Sequence, residues 1–191
     1  MIRYWLQIAA WVELAVCWIA WSMAFIQPYL RARNKKKYAR IPSSRTGIFL
    51  NFLGFACVCA WLRPAGYQKS LLELIASMII SPLPVFLAWK ATRHLGKQWR
   101  YEAAVSPDQE LITTGPYASM RHPIYASMLA LMLATGMAYT WWPLLIPGLI
   151  LFVIGIEIRV RAEDRLLEQF FQDEFLEYRA RVPASFLPFR R

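Results

Sequence analysis

Apolar residues run in five blocks divided by polar, mostly basic stretches. The blocks fall at about residues 4–26, 47–62, 71–89, 124–140 and 142–158. Each reads as a membrane-crossing helix, since roughly twenty apolar residues traverse a bilayer core. Several are short for that length and imply a thin or locally adjusted bilayer. Pro82 and Pro84 predict a kink in the third helix, tolerated where neighbouring helices or a cavity satisfy the freed carbonyls. The last two blocks form a hairpin turning at Trp141-Trp142-Pro143. Beyond it, Leu166, Leu167, Phe170, Phe171, Phe175 and Tyr178 recur near helical spacing among acids, the pattern of an amphipathic surface helix. The fold class is therefore all-α: a polytopic membrane protein with about five transmembrane helices and a C-terminal amphipathic helix. A single domain, 1–191, is expected, with a three-helix membrane part (1–93) and a second part (94–191) holding the hairpin and the terminal helix.

Composition agrees with this pattern. Hydrophobic residues make up 58% of the chain, yet its net charge is +10, and a soluble basic domain does not carry such apolar runs. Arg31, Arg33, Lys35, Lys36, Lys37, Arg40 and Arg45 fill the first loop. Lys90, Arg93, Lys97, Arg100 and Arg121 fill the third, and Arg159, Arg161, Arg165, Arg179, Arg181, Arg190 and Arg191 follow the last span. Only Arg3, Arg63 and Lys69 fall on the other side. The positive-inside rule then puts the N-terminus outside and the polar mass and C-terminus in the cytoplasm, in a bacterial inner membrane or one like the endoplasmic reticulum. These cations set topology, and anionic lipids are secondary partners. Nucleic acid is excluded, because the charge sits on short membrane-flanking loops with no binding module.

Other polar residues change the picture little. Cys17, Cys57 and Cys59 lie within apolar helices and read as small buried side chains. His94 and His122 have no ligand-spaced partner, so no metal is expected. Glu13 lies within a span and is either functional by default or a hydrogen-bonded structural acid. Seven of the 12 acids fall between residues 157 and 177. Among them Glu163 lies one helical turn from Arg159. The two form either a plain ion pair or, facing a cleft, a site that holds an ammonium at Glu163 and a carboxylate at Arg159.

The densest chemistry lies at Gly115-Pro116-Tyr117-Ala118-Ser119-Met120-Arg121-His122-Pro123-Ile124-Tyr125. Gly-Pro makes a turn, and Pro123 suits the first position of a helix. The N–H groups of that helix start, with Arg121 beside them, are expected to form an anion site at the membrane boundary.

The run Leu111-Ile112-Thr113-Thr114-Gly115-Pro116-Tyr117, then Arg121-His122-Pro123-Ile124-Tyr125, resembles the isoprenylcysteine carboxyl methyltransferase family. So does Glu163-Asp164-Arg165-Leu166-Leu167, with Phe170-Phe171-Gln172-Asp173-Glu174-Phe175 and Tyr178-Arg179-Ala180-Arg181-Val182-Pro183. The upstream Leu95-Gly96-Lys97-Gln98-Trp99 extends the likeness, which covers about residues 94–188. The same superfamily includes phospholipid N-methyltransferases and thiol methyltransferases. Where its members usually carry paired glutamates this chain has Glu163-Asp164, where they carry Gly it has Gln172, and Ala126 stands where Gly is common.

The resemblance implies S-adenosylmethionine as cofactor, bound by Gln109, Glu110, Leu111, Ile112, Tyr117, His122, Pro123, Ile124, Tyr125 and Glu163. The helix start at His122-Pro123 would take the methionyl carboxylate and Glu163 the ammonium. Leu111 and Ile112 would line the adenine slot, and Tyr117 or Tyr125 would face the sulfonium. The roles assigned to the reaction fall on Arg159, which orients an anionic acceptor, and on Glu163 and His122, which assist an amine acceptor. At a helix N-terminus His122 is expected to stay neutral. The implied activity is methylation of a prenylcysteine-like or other lipophilic carboxylate entering from the bilayer. Phospholipid amines and thiols rank next, ahead of a sterol-reductase-like NADPH enzyme or a non-catalytic membrane scaffold.

Overall fold

The computed structural model describes residues 1–32, 39–40, 44–60, 62, 64–99, 104–105 and 109–187. Of the cations that set the expected orientation, Arg33, Lys35, Lys36, Lys37, Arg63, Arg100, Arg190 and Arg191 lie outside these residues.

Helices dominate. α1 is Ile2–Ala32, α2 Ser44–Cys59, α3 Leu71–Ile80, α4 Pro82–Leu95, α5 Pro123–Tyr139, α6 Trp142–Phe171 and α7 Asp173–Arg181. Ala39–Arg40 (β1) pairs antiparallel with Ala104–Val105 (β2), and 3-10 turns stand at Gly96–Gln98 and Gly115–Ala118. Three stretches are long and apolar enough to cross a membrane: Ile2–Leu30, Leu71–Leu95 and Trp142–Phe171. Arg45–Cys59 and Pro123–Tyr139 are apolar but shorter.

The expected third helix is two helices meeting at Ser81. A capping box starts α3, with Ser70 Oγ accepting from the Glu73 N–H and the Glu73 carboxylate accepting from the Ser70 N–H. Pro82 then opens α4 at a position that needs no donor. Ser81 is fully buried, and its hydroxyl donates to Glu13 Oε1 at 2.9 Å. Glu13 thus ties α1 to the helix break, the structural one of its two readings.

The apolar stripe expected of one terminal amphipathic helix is divided between the end of α6 and α7. α6 runs unbroken for 30 residues, about 45 Å at 1.5 Å per residue, well beyond a hydrocarbon core of about 30 Å. Its C-terminal half carries Arg159, Glu163 and Asp164. Gln172 ends it with φ 48°, and α7 folds back so that Phe175, Tyr178 and Val182 form a cluster against Leu111, Leu167 and Phe171.

Two further packings position the site. α2 lies antiparallel along α6 on a glycine seam: a Cβ at Gly54 would come within 2.6 Å of the Gly148 carbonyl, and one at Gly155 within 2.7 Å of the Gly47 carbonyl. Backbones approach this closely only where side chains are absent. α1 is pinned to α5 by indole N–H groups, Trp11 to the Ala138 carbonyl, Trp18 to Thr135 Oγ1 and Trp21 to Ser127 Oγ. Each satisfies a polar group that lipid could not. Cys17 is buried in that packing, whereas Cys57 is half-buried and Cys59 exposed, so the expectation of small buried side chains holds in full for Cys17 alone.

Candidate active site

The Gly115–Ala118 turn is set by its glycine. Gly115 has φ 62°, and a Cβ there would lie 2.2 Å from His94 Nε2, so the end of α4 packs directly on the turn. The turn buries Tyr117, whose carbonyl accepts the Tyr178 hydroxyl at 2.7 Å. Burial, with Glu163 and Tyr178 adding to it, pushes the Tyr117 phenol well above its usual range, so it stays neutral.

Arg121 is engaged mainly within the protein. Its guanidinium donates from one nitrogen to the carbonyls of Val182 (2.7 Å) and Pro183 (3.0 Å), and from the other to Asp164 at 3.2 Å. The backbone follows suit: Arg121 N–H donates to the Ala184 carbonyl and His122 N–H to the Ser185 carbonyl. The segment after α7 is therefore clasped to the start of α5, and Phe186 is buried in the core beside Tyr125, Phe152 and Ile156. The anion site expected at this helix start is reduced accordingly, because Pro123 has no N–H and the His122 N–H is taken.

His122 differs from expectation as well. Its Nε2 lies 2.8 Å from Asp164 Oδ1, and its Nδ1 lies 3.5 Å from Glu163 Oε2. Burial disfavours the imidazolium, but the hydrogen bonds and charges of Asp164 and Glu163 outweigh it and push the imidazole up to about 9. The two carboxylates thus favour the imidazolium, whereas a helix N-terminus alone favours the neutral ring.

Arg159 and Glu163 do not pair with each other. Both meet Tyr125: its hydroxyl donates to Glu163, and the Arg159 guanidinium lies 4.9 Å from its ring centre. Among the described residues Arg159 faces no carboxylate partner. Its stem fills the space beside Gly47, where a Cβ would come within 2.6 Å of Arg159 Cγ.

These groups line one cavity of about 630 Å³, within the usual range for small-molecule sites. Gln109, Glu110, Leu111, Ile112, Tyr117, His122, Ile124, Tyr125, Arg159 and Glu163 all contribute to its wall. Pro123, buried as the first residue of α5, stands behind that wall. Gln109 Oε1 is buried without a partner among the described residues, while its amide nitrogen donates to the Gln98 carbonyl. Sequence reasoning missed the far side, where Trp21, Phe25 and Tyr29 of α1 join Trp99. Nothing in the sequence marks these among so many membrane aromatics. It also passed over Asp164 as a variant of a paired glutamate, whereas this carboxylate joins Arg121 to His122. No cluster of three or more His, Cys, Asp or Glu suited to a metal occurs among the described residues.

Residues 72–174, more than half the chain, match the phospholipid methyltransferase family. The chain belongs to that family. It is thus related to the membrane methyltransferases that include the isoprenylcysteine carboxyl methyltransferases. It is also similar to the uncharacterised protein YpbQ of Bacillus subtilis (strain 168), 31% identical over 123 residues, 64% of this chain and 73% of that one. With three apolar helices long enough to cross a bilayer, this phospholipid methyltransferase family member is an integral membrane protein and a methyltransferase. The family match spans α3 to the start of α7 and so takes in the clasp residues Arg121, His122 and Asp164. It leaves out α1, which supplies the apolar side of the cavity.

Proposed function

We propose that the protein transfers a methyl group from S-adenosylmethionine to the carboxylate of a lipophilic, prenylcysteine-like acceptor. The observation that carries this reading is the Arg159 guanidinium, stacked on Tyr125 with no carboxylate partner among the described residues, between a polar pocket and an apolar arm. Such a cation recognises an anionic head group whose tail lies in lipid.

The polar pocket suits the cofactor. Glu163 offers a carboxylate to its ammonium, the orphaned Gln109 Oε1 offers an acceptor to an amine or hydroxyl, and Leu111 and Ile112 offer an apolar slot. The Tyr117 ring supplies an aromatic surface for a sulfonium. The first-turn amides of Ile124 and Tyr125 are the remaining donors of the α5 start for a carboxylate. When bound, S-adenosylmethionine supplies an activated methyl that a carboxylate attacks without prior deprotonation. The protein's own work is alignment and exclusion of water, with Arg159 and Tyr125 setting the acceptor against the pocket. The described cations Lys90, Arg93, Arg161, Arg165, Arg179 and Arg181 cluster at this end, which supports a cytoplasmic site with the N-terminus outside.

The family description favours a second reading, methylation of a phospholipid amine, in which Glu163 accepts a proton. The test is calorimetry of S-adenosylmethionine binding by the purified protein and Glu163→Ala, followed by labelled methyl transfer to a prenylcysteine analogue, a thiol and phosphatidylethanolamine. Saturable binding that is lost in Glu163→Ala, with a base-labile methyl ester as product, is expected. A base-stable methylated amine makes the second reading correct, and no cofactor binding by a folded sample overturns both.

A further inference from the structure

Residues on α1 form the apolar arm of the cavity, and their exposure is graded. Ile26, Tyr29 and Leu30 are 53%, 52% and 58% exposed, whereas Trp21 and Phe25 are half-buried. The arm is open to lipid near the C-terminal end of α1 and closed toward the membrane interior. Trp21 and, from α5, Met128 are its deepest wall residues. Trp18 and Met132, one turn further in, do not line it.

Trp21 is held rigidly. Its indole N–H donates to Ser127 Oγ at 3.1 Å, and Ser127, fully buried, donates in turn to the Ile124 carbonyl at 2.7 Å. The Trp21 ring lies 4.6 Å from Phe25 and meets Trp18 edge-on at 5.8 Å. Trp18 is itself fixed by its hydrogen bond to Thr135 and by an edge contact with Phe55 at 5.3 Å. A ring with this much support has no room to swing aside. It is a floor.

We infer that Trp21, locked by Ser127, sets the length of apolar tail that the acceptor can carry. This rests on the reading that the acceptor's anionic head lies at Arg159. The tail then runs along α1, and a chain that reaches Trp21 gains no contact from further methylenes. A longer chain must bend out past Ile26 and Tyr29 into lipid. The occupant is therefore an anionic amphiphile with a single apolar chain of bounded length.

The probes are N-acetyl-S-alkyl-cysteines from hexyl to eicosyl, with binding measured by calorimetry and methyl transfer measured alongside. The wild type should gain affinity with each added carbon up to a break, then level off or weaken. Trp21→Ala should move that break to longer chains and improve binding of the long members by about ten-fold, the effect of burying roughly two more methylenes. Trp21→Phe should shift it less. Ser127→Ala, which keeps the ring but frees it, should blur the break, and these two variants carry the test if Trp21→Ala does not fold. S-adenosylmethionine affinity, read in the same samples, reports that the polar end is intact. An unchanged length profile in the Trp21 variants overturns the inference, as does failure of the whole series to bind a protein that binds the cofactor. A shifted profile without methyl transfer supports the floor and sinks only the proposed reaction. Transfer with an unshifted profile does the reverse.

Discussion

Gly47 and Arg159 fit against each other across the α2–α6 seam. A Cβ at Gly47 would stand 2.6 Å from Arg159 Cγ and 2.7 Å from the Gly155 carbonyl. The stem of the candidate acceptor-binding cation is thus aimed by the absence of a side chain on a neighbouring helix. Gly47→Ala should reduce methyl transfer by about ten- to a hundred-fold, the effect of a displacement approaching 1 Å, while leaving S-adenosylmethionine affinity nearly unchanged. Gly54→Ala is the control. It meets the Gly148 backbone at 2.6 Å, away from Arg159, and should cost about 1–3 kcal/mol of stability without a selective rise in acceptor KM. Equal kinetic effects from the two substitutions would show that Arg159 is not aimed in this way.

Arg121 should behave as a structural clasp. Arg121→Ala leaves the Val182 and Pro183 carbonyls and Asp164 Oδ2 without their donor, while His122 still pairs Asp164 Oδ1, and should destabilise by about 1–3 kcal/mol. Arg121→Lys should recover little, because an ammonium cannot span both sets of acceptors. Thermal unfolding in detergent checks both variants. Full stability with cofactor binding lost would instead make Arg121 a ligand-binding residue.

A pH dependence follows from His122. Its folded-state value is raised from 6.5 to about 9 by Asp164 and Glu163 against the effect of burial. A raised histidine contributes stability that is fully present below the unfolded value and lost as pH rises through the folded one. The unfolding midpoint should therefore fall between about pH 6.5 and pH 9. The His122→Asn profile should be lower and flatter over that window. The charged groups facing the ring are Glu163 and Asp164, with Arg121 behind Asp164. A wild-type midpoint constant across the window would mean that His122 does not change charge there.

Gln172 has the backbone of a glycine. It stands at φ 48°, ψ −119°, almost the conformation of Gly96 at φ 49°, ψ −113°, a region that a Cβ makes unfavourable. Gln172→Gly should raise stability by about 1 kcal/mol, because relief of strain exceeds the added freedom of the unfolded chain. A loss of stability would mean that the Gln side chain has a compensating contact.

How much of this was open to sequence reasoning depends on distance along the chain. The apolar blocks and the break after Ile80 were readable, because Ser70, Glu73, Pro82 and Pro84 act on their own neighbours. The segment at 109–125 and the pair Arg159 and Glu163 were singled out, and the fold brings them to one cavity. Long-range partners decided what was misread. Arg121 sits at a helix start, where local logic gives it an anion, but carbonyls from residues 182 and 183 return to claim it. His122 looks neutral beside a helix dipole until two carboxylates arrive from α6. For Arg159 and Glu163 two readings stood open from their spacing, and the long-range contact with Tyr125 favours the cleft-facing one. α6 continues through the acidic stretch because no proline or glycine lies between Gly155 and Gln172. One signal was present and unread: Gly47 and Gly54, like Gly148 and Gly155, are two helical turns apart, the mark of a close-packed seam.

The clasp imposes an order on biosynthesis. Arg121 and the Val182 carbonyl it binds are 61 residues apart, with the whole α5–α6 hairpin between them. A ribosome that has delivered the start of α5 to the membrane has made half of the clasp and no partner for it. The guanidinium has no carbonyl partner until both hairpin helices have been made and the chain has turned back through α7. Competence to methylate is therefore acquired after insertion, in a late folding step, and a nascent chain stalled within the hairpin would be membrane-embedded yet inert.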